Sequence, residues 1–484
     1  MISDIRDILL ICYYLYLLVT IIYLLLDNRE TSATFAWIFV LITFPVIGLI
    51  FYLLIGRNRR KSHKYKKYQQ QERRCLNLGI ETYIHQQEEN LKRLSAQDDF
   101  VTRRKLFELL YRNSNSLLTT NNAIQLFYTG KDKFEALIAD LNNAKQFIHM
   151  EYFIWRNDSL TEQVKNVLIN KSRQGVEVRI LFDIIGSFRF KKAYIKQMRK
   201  NGIKIYPYDN PHSFITVHSL NYRNHRKIAI IDGLIAYTGG MNMGQEYIDG
   251  GKRFDSWRDT HMRIMGDAVC LLQSIFIASW QNTTNEKVAG IKYFPQAKDV
   301  KSYVPAQITT SGPDAEWSSI EQLYFTLITS AQESICIQSP YFIPSESIYK
   351  ALLSAALSGI KVKLIVTGKP DNLLPYWAAF SFFGALLKAG VRIYHYQTGF
   401  MHAKAIIVDN EICSVGTANM DIRSFQLNYE VNMLIYDKTI AQDLSTHFDF
   451  DLTGCRELTS EKYYSIKPLK KFRNSLARLF APIM

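Results

Sequence analysis

The chain has 484 residues and a formal charge of +15 from 59 Lys and Arg against 44 Asp and Glu, so it suits an anionic partner: nucleic acid, anionic lipid or a phosphorylated small molecule. An apolar content of 48% with 21% charged residues rules against a disordered or fibrous chain, and the length allows several domains or one domain duplicated. Six cysteines without any C-x-x-C spacing argue against zinc ligation and against a disulfide framework, and favour reduced, mostly buried thiols.

Ile8 to Leu26 is uncharged, and so is Phe35 to Ile55, which contains Pro45 and Gly48. Each run is long enough to cross a hydrocarbon core as a helix, and only a short polar gap at Asp27-Asn28-Arg29-Glu30 separates them. Residues 1–56 are therefore expected to form a transmembrane helical hairpin, with helices at about 8–26 and 35–55. A cleaved leader fits less well, because Asp4 and Asp7 stand where a basic region belongs and a second apolar run follows. The segment Arg57 to Lys67 carries seven Lys and Arg and no acid. Basic residues beside a span stay on the cytoplasmic side, which predicts that both termini are cytoplasmic, with only the short turn outside and the basic run against anionic headgroups. Residues 57–117 then read as a basic juxtamembrane linker.

From about Leu118 short apolar runs alternate with amphipathic stretches, the pattern of α/β units. The pattern repeats. Ala144 to Ile154 is echoed by Gln332 to Ile343, each ending in Tyr-Phe-Ile. Gly175 to Leu181 is echoed by Gly359 to Val366, and Gly202 to Tyr208 by Gly390 to Tyr396. Three echoes in one order predict an α/β fold of two tandem domains, at 118–290 and 305–484, each a helix-covered sheet facing the other. Polar residues and turn formers cluster between them, near 286–315.

Each half closes on the same constellation, H-x-K-x4-D-x6-G-[GT]-x-N. The first copy is His225, Lys227, Asp232, Gly239, Gly240 and Asn242, and the second is His402, Lys404, Asp409, Gly416, Thr417 and Asn419. His and Lys two apart on a strand share a face, so each strand is expected to present an imidazole beside an ammonium. The Gly-[Gly/Thr]-x-Asn turns can add backbone N–H groups and an amide, making Gly240, Asn242, Thr417 and Asn419 candidate substrate contacts. Such a set suits phosphoryl chemistry. One imidazole attacks phosphorus, the other moves protons, and the ammoniums balance charge on the non-bridging oxygens. No carboxylate-rich cluster accompanies the motifs, so neither metal nor cofactor is called for.

The paired motifs resemble those of the phospholipase D superfamily, and the chain as a whole resembles the bacterial cardiolipin synthases within it. The resemblance is carried by Thr34 to Ile38, Pro45 to Gly48, Gly56 to Asn58, Asn221 to Lys227, Trp257 to His261, Ser339 to Pro344, Gly399 to Lys404, Asp421 to Phe425 and Asn428 to Glu430. It implies two phospholipase D-like α/β sandwich domains related by pseudo-twofold symmetry around one active site. It also implies reversible phosphatidyl transfer between two phosphatidylglycerol molecules, through a phosphohistidine, giving cardiolipin and glycerol. His225, Lys227, Asp232, His402, Lys404 and Asp409 become the catalytic set, the aspartates as supports for the imidazoles. Asp232 and Asp409 lie out of phase with the histidines along a strand, so such support would have to run through a turn or across the interface. His225 is read as nucleophile and His402 as acid/base, although their near-identical surroundings permit the reverse. Phosphatidylglycerol and membrane lipid are the expected partners. The hairpin disfavours a nuclease, and complete motifs disfavour a scaffold. Lipid hydrolysis and another acceptor alcohol remain the alternatives, and the oligomeric state is not legible.

Lys467 to Phe480 places Leu469, Phe472, Leu476, Leu479 and Phe480 on one helical face among basic residues, which suits an interfacial helix or a docked one equally. Leu373 to Leu387 is rich in Trp, Phe and Ala and reads first as ordinary core packing, with an acyl groove or bilayer contact as the rival. Glu430 and Arg423 are candidates for ordering the pocket, whereas His149, His218, His261 and His395 read as structural.

Overall fold

The structure is a computed structural model that describes residues 2–26, 31–44, 47–49, 52, 87, 89–90, 100–208, 222–295, 300 and 302–481. It divides into an N-terminal unit and a body that holds all described residues of 100–208 and 223–481.

In the N-terminal unit, α1 (Ile2–Leu26) and α2 (Thr31–Thr43) pair through buried Leu24 and Leu41, with Tyr52 and the half-buried Trp37 and Ile38 beside them. The Trp37 and Tyr52 rings meet edge-on at 5.3 Å. Most of the large apolar side chains point away from this seam; Ile11, Leu15, Leu18, Phe35 and Phe39 are all exposed. Among the described residues no helix is long and apolar enough to cross a membrane. The side chains of α1 are described without a break only from Leu10 to Leu26. Part of the second apolar run and the whole basic segment 57–67 lie outside the described residues, as does His218.

The body is built from one unit used twice. Its first sheet holds β1 (Asn122–Phe127), β2 (Phe147–Tyr152), β3 (Glu177–Phe182), β4 (Lys204–Pro207), β5 (Lys227–Ile231), β6 (Ile235–Gly239) and β7 (His261–Gly266). Its second holds β8 (Ala306–Ser311), β9 (Ser334–Gln338), β10 (Lys361–Thr367), β11 (Arg392–Tyr396), β12 (Ala405–Val408), β13 (Ile412–Gly416) and β14 (Asn428–Ile435). The first sheet runs β1-β7-β6-β5-β2-β3-β4 and the second β8-β14-β13-β12-β9-β10-β11, the same order, with Cys455–Leu458 added antiparallel beside β11. In each, three strands are parallel neighbours joined by helical crossovers, and the rest are antiparallel. The duplicated α/β architecture expected from the echoes is what forms.

Residues alternate between the two faces of each sheet. In the first sheet Ile148, Met150 and Ile180 fill an outer core belonging to that half alone. Phe147, Leu181, Ile228 and Ile230 face an inner core that also takes Ile365, Ile407 and Met433 from the second sheet. Helices Ala268–Thr284 and Lys438–Thr453, which follow β7 and β14, contribute Phe276, Leu444 and Phe448 to that shared core. Leu373–Ala389 buries Ala378, Phe382, Phe383 and Leu386 in the second half, so the core reading of that stretch holds for its middle. Leu118–Thr119 joins the second sheet by pairing with Gln307 and Ala306, so the first sheet starts only at Asn122. Cys270, Cys336 and Cys413 are buried thiols outside any disulfide.

Two short parallel pairings tie the halves together. Arg223–Asn224 runs beside Asn428–Tyr429, and Trp257–Arg258 beside Phe400–Met401. Each brings the residue before a motif histidine against the residue before an acid in the other half.

Candidate active site

Because of those pairings, the backbone N–H of His225 donates to the Tyr429 carbonyl at 2.9 Å, and that of His402 to the Arg258 carbonyl at 2.7 Å. The next residues along the accepting strands are Glu430 and Asp259. His225 Nδ1 lies 2.9 Å from the Glu430 carboxylate, and His402 Nδ1 lies 2.6 Å from Asp259 Oδ2. Each motif histidine therefore takes its acid from the opposite half. A carboxylate at Nδ1 fixes the tautomer and leaves Nε2 with a free lone pair.

The acids are themselves held. Glu430 accepts from Thr417 Oγ1 and from Asn428 Nδ2, and Asp259 accepts from the Thr260 N–H at 2.8 Å. Burial alone would raise the Glu430 carboxyl, but the neighbouring His225 and Lys227 outweigh it and keep it below its ordinary range. Burial pushes both imidazoles down, against the pull of their acids; His402 falls to about 3. Burial thus favours the neutral form of the rings, the form in which a nucleophile attacks.

The lysines complete the set. Lys227 opens β5 and Lys404 immediately precedes β12, so the histidines stand ahead of the strands instead of on them, as strand phasing had suggested. Each ammonium donates to its own histidine's carbonyl, Lys227 at 2.7 Å. Burial draws Lys227 down to about 7 and Lys404 to about 8. Lys404 also acts electrostatically on His225, and Lys227 on His402, so the two motifs converge on one locus. Aromatic surroundings differ: Phe153 meets the His225 ring at 4.8 Å, whereas Trp257, Phe400 and Tyr247 surround His402.

The motif aspartates are not brought to the imidazoles. Asp232 and Asp409 sit in the turns beyond β5 and β12 with φ of 54° and 53°. Asp232 accepts from the N–H groups of Lys145, Gln146 and Phe147 at 2.7 to 2.9 Å. Asp409 accepts from those of Gln332, Glu333 and Ser334 at 2.7 to 2.8 Å. They brace each hairpin turn against the start of β2 or β9, which corrects the reading of them as imidazole supports. Alanine at either position is expected to cost about 2 kcal/mol of stability, since three amides lose a charged acceptor. The remaining folded enzyme should keep its kcat within about tenfold. Thermal melts beside assays normalised to folded protein check both parts.

The Gly-[Gly/Thr]-x-Asn turns also serve the protein itself. Gly240 N–H donates to the Thr260 carbonyl, and Thr417 N–H to that of Val431, both at 2.9 Å. Asn242 accepts from Ile154 N–H and donates to the Tyr247 hydroxyl. A Cβ on Gly240 would stand 1.9 Å from Asp259 Oδ1, so glycine there makes room for the acid. Gly240, Thr417 and Asn242 thus support the site from behind instead of offering free donors; Asn419 is buried beside Asp421. Sequence reasoning had flagged Glu430 but passed over Asp259. Among the described residues no group of three or more His, Cys, Asp or Glu is placed to hold a metal ion.

Two imidazoles, each backed by a carboxylate and flanked by buried ammoniums, on a duplicated α/β frame, define the phospholipase D type of phosphodiester site. Comparison with known proteins agrees. A family described as cardiolipin synthase, phospholipase D-like domain, matches residues 137–252 and 324–452, and one described as phospholipase D-nuclease N-terminal matches 14–57. The major cardiolipin synthase of Bacillus subtilis is 41% identical over 480 residues, 98% of each chain. A cardiolipin synthase of Oceanobacillus iheyensis is 40% identical over 465 residues, 95% of each. The crystal structure of a phosphatidylserine synthase from Haemophilus influenzae shares the fold, with a TM-score of 0.59 at 15% identity over 78% of this chain and all of that one. The chain belongs to the bacterial cardiolipin synthase family of the phospholipase D superfamily.

Proposed function

We propose that the protein is a cardiolipin synthase that moves a phosphatidyl group between two phosphatidylglycerol molecules at the His225–His402 site. The observation that carries this is the pair of imidazoles, each held at Nδ1 by an acid from the other half. One Nε2 attacks the phosphorus of the first phosphatidylglycerol, and the bond from phosphorus to the glycerol headgroup breaks. The other imidazole takes up a proton from solvent as the anionic phosphate enters the site, and gives it from Nε2 to the departing glycerol oxygen. The terminal hydroxyl of a second phosphatidylglycerol then attacks the phosphohistidine, giving up its proton to that same imidazole, and the P–N bond breaks. Lys227 and Lys404 balance charge on the non-bridging oxygens. Glu430 and Asp259 act as positioning residues.

Full-length protein in phosphatidylglycerol vesicles, with a metal chelator present, is expected to release glycerol and form cardiolipin in equal amounts. Phosphatidic acid as the main product would make it a hydrolase. Loss of turnover on chelation would overturn the metal-free route.

Within the same proposal, α1 and α2 belong to a membrane hairpin with both termini cytoplasmic. The uncharged runs, the exposed apolar side chains of α1 and α2 and the basic segment 57–67 support it. Labelling of single cysteines placed at 27–30 and at 60–64 in intact cells tests it; labelling of both sites from outside would reject this topology.

The buried lysines set opposite pH trends. Their ammonium charge is present below about 7 to 8 and is lost as pH rises through those values. Affinity for phosphate should therefore fall between pH 7 and 9. In the unfolded chain lysine stays protonated up to about 10.4, so unfolding takes up protons across that window and stability rises with pH. Phosphate titration and urea unfolding at pH 7, 8 and 9 check the pair of trends; trends that run in parallel would refute the assignment.

A further inference from the structure

The last described helix, Pro468–Arg478, packs with its faces reversed. Its buried residues are small or polar, Asn474 and Ala477, with Ala481 just beyond. Its large apolar residues point outward: Leu469 is 78% exposed, Phe472 68% and Leu479 74%, with Leu476 and Phe480 beside them. A helix docked only to be covered by its own domain turns the opposite face inward. The charges follow the same plan. Lys467, Lys470, Lys471, Arg473 and Arg478 flank the apolar face, and no acid occurs between Ile466 and Ala481.

The helix is held in this orientation by its neighbours. The Arg473 guanidinium lies 4.3 Å from the Trp377 ring centroid and that of Arg478 lies 4.5 Å from Phe382, while Lys471 Nζ donates to the Tyr464 carbonyl at 2.9 Å. The supporting helix Leu373–Ala389 begins with Leu373 and Leu374, also exposed. Leaving such a face in water is unfavourable, so the arrangement calls for an apolar cover. A second copy would set five cations against five, whereas a lipid surface with anionic headgroups satisfies both the stripe and its rim.

We propose that Pro468–Phe480 lies in the interface of an anionic lipid surface, apolar face in the acyl boundary and cations among the headgroups. It gives the body a membrane contact of its own, separate from the N-terminal helices. The inference rests on this helix alone and survives if the catalytic reading fails.

The test uses the full-length protein in vesicles, with photoreactive benzoylphenylalanine in place of Phe472 or, as a control, of Ile291, which is 89% exposed. In vesicles of phosphatidylglycerol and phosphatidylcholine, position 472 is expected to give lipid adducts at about five times the control yield. Vesicles of phosphatidylcholine alone, or Lys470→Glu with Lys471→Glu, should lower that yield about fivefold. A protein–protein adduct through position 472 would assign the face to a second copy. Equal yields at the two positions, or a yield indifferent to headgroup charge and to the substitutions, would overturn the proposal.

Discussion

Alanine in place of His225 or His402 is expected to lower kcat for cardiolipin formation by at least about 10³-fold. One ring forms the covalent bond and the other handles the leaving proton, so neither step has a substitute in the site. The double variant should be little worse than either single one, because residues that act as a unit do not add. The single variants should differ with a substrate whose leaving group needs no proton, such as a nitrophenyl phosphodiester. The variant lacking the acid would still turn that ester over once to a trapped phosphohistidine, and the variant lacking the nucleophile would not. Single-turnover assays with mass detection of the adduct therefore assign the two roles. Full cardiolipin synthesis by either single variant would remove that residue from the chemistry.

Glu430→Gln and Asp259→Asn are expected to lower kcat by roughly 10² to 10⁴-fold, with lipid affinity little changed. An amide can turn its NH2 group toward Nδ1, which places the ring hydrogen on Nε2 and takes away the lone pair that attacks phosphorus. It also removes the negative charge that offsets an imidazolium in a buried site. Gly240→Ala should mimic Asp259→Asn, since the added Cβ would displace that carboxylate from Asp259's place beside His402. Measuring kcat and KM separately in mixed micelles decides the matter. A KM-only effect would mean that these acids bind substrate and do not position the rings.

Much of the fold could be read in the amino acids because it repeats. The strand ending at Tyr152 and that ending at Gln338, with the β-branched strands that follow, betrayed one unit used twice, and their sheets share one strand order. His225, Lys227, His402 and Lys404 were legible for the same reason. Of their acids only Glu430 stood out, and the pairing of either acid with its histidine did not. Asp259 and Glu430 follow their own half's histidine at different separations, because the loops between differ in length, and each serves the other half. A contact across a pseudo-twofold leaves no local spacing to read. Asp232 and Asp409 misled for the opposite reason: they travel with the motif in sequence, yet β5 and β12 carry them away from it. At the C-terminus, spacing defined an amphipathic helix but could not say which way the apolar face turned. Only the burial of Asn474 and Ala477 does.

The exchange of acids has a consequence for taking this protein apart. A half expressed alone would carry an imidazole with nothing behind it, and an inner sheet face stripped of its cover, Ile407 and Met433 for the first half and Ile228 for the second. Neither half is a domain in the sense of a part that works by itself. A damaging substitution in the first half would show as a defect of the second half's histidine, so genetic complementation should follow the crossing pattern Asp259 with His402 and Glu430 with His225. The duplicated halves are bound to each other as the two jaws of one tool.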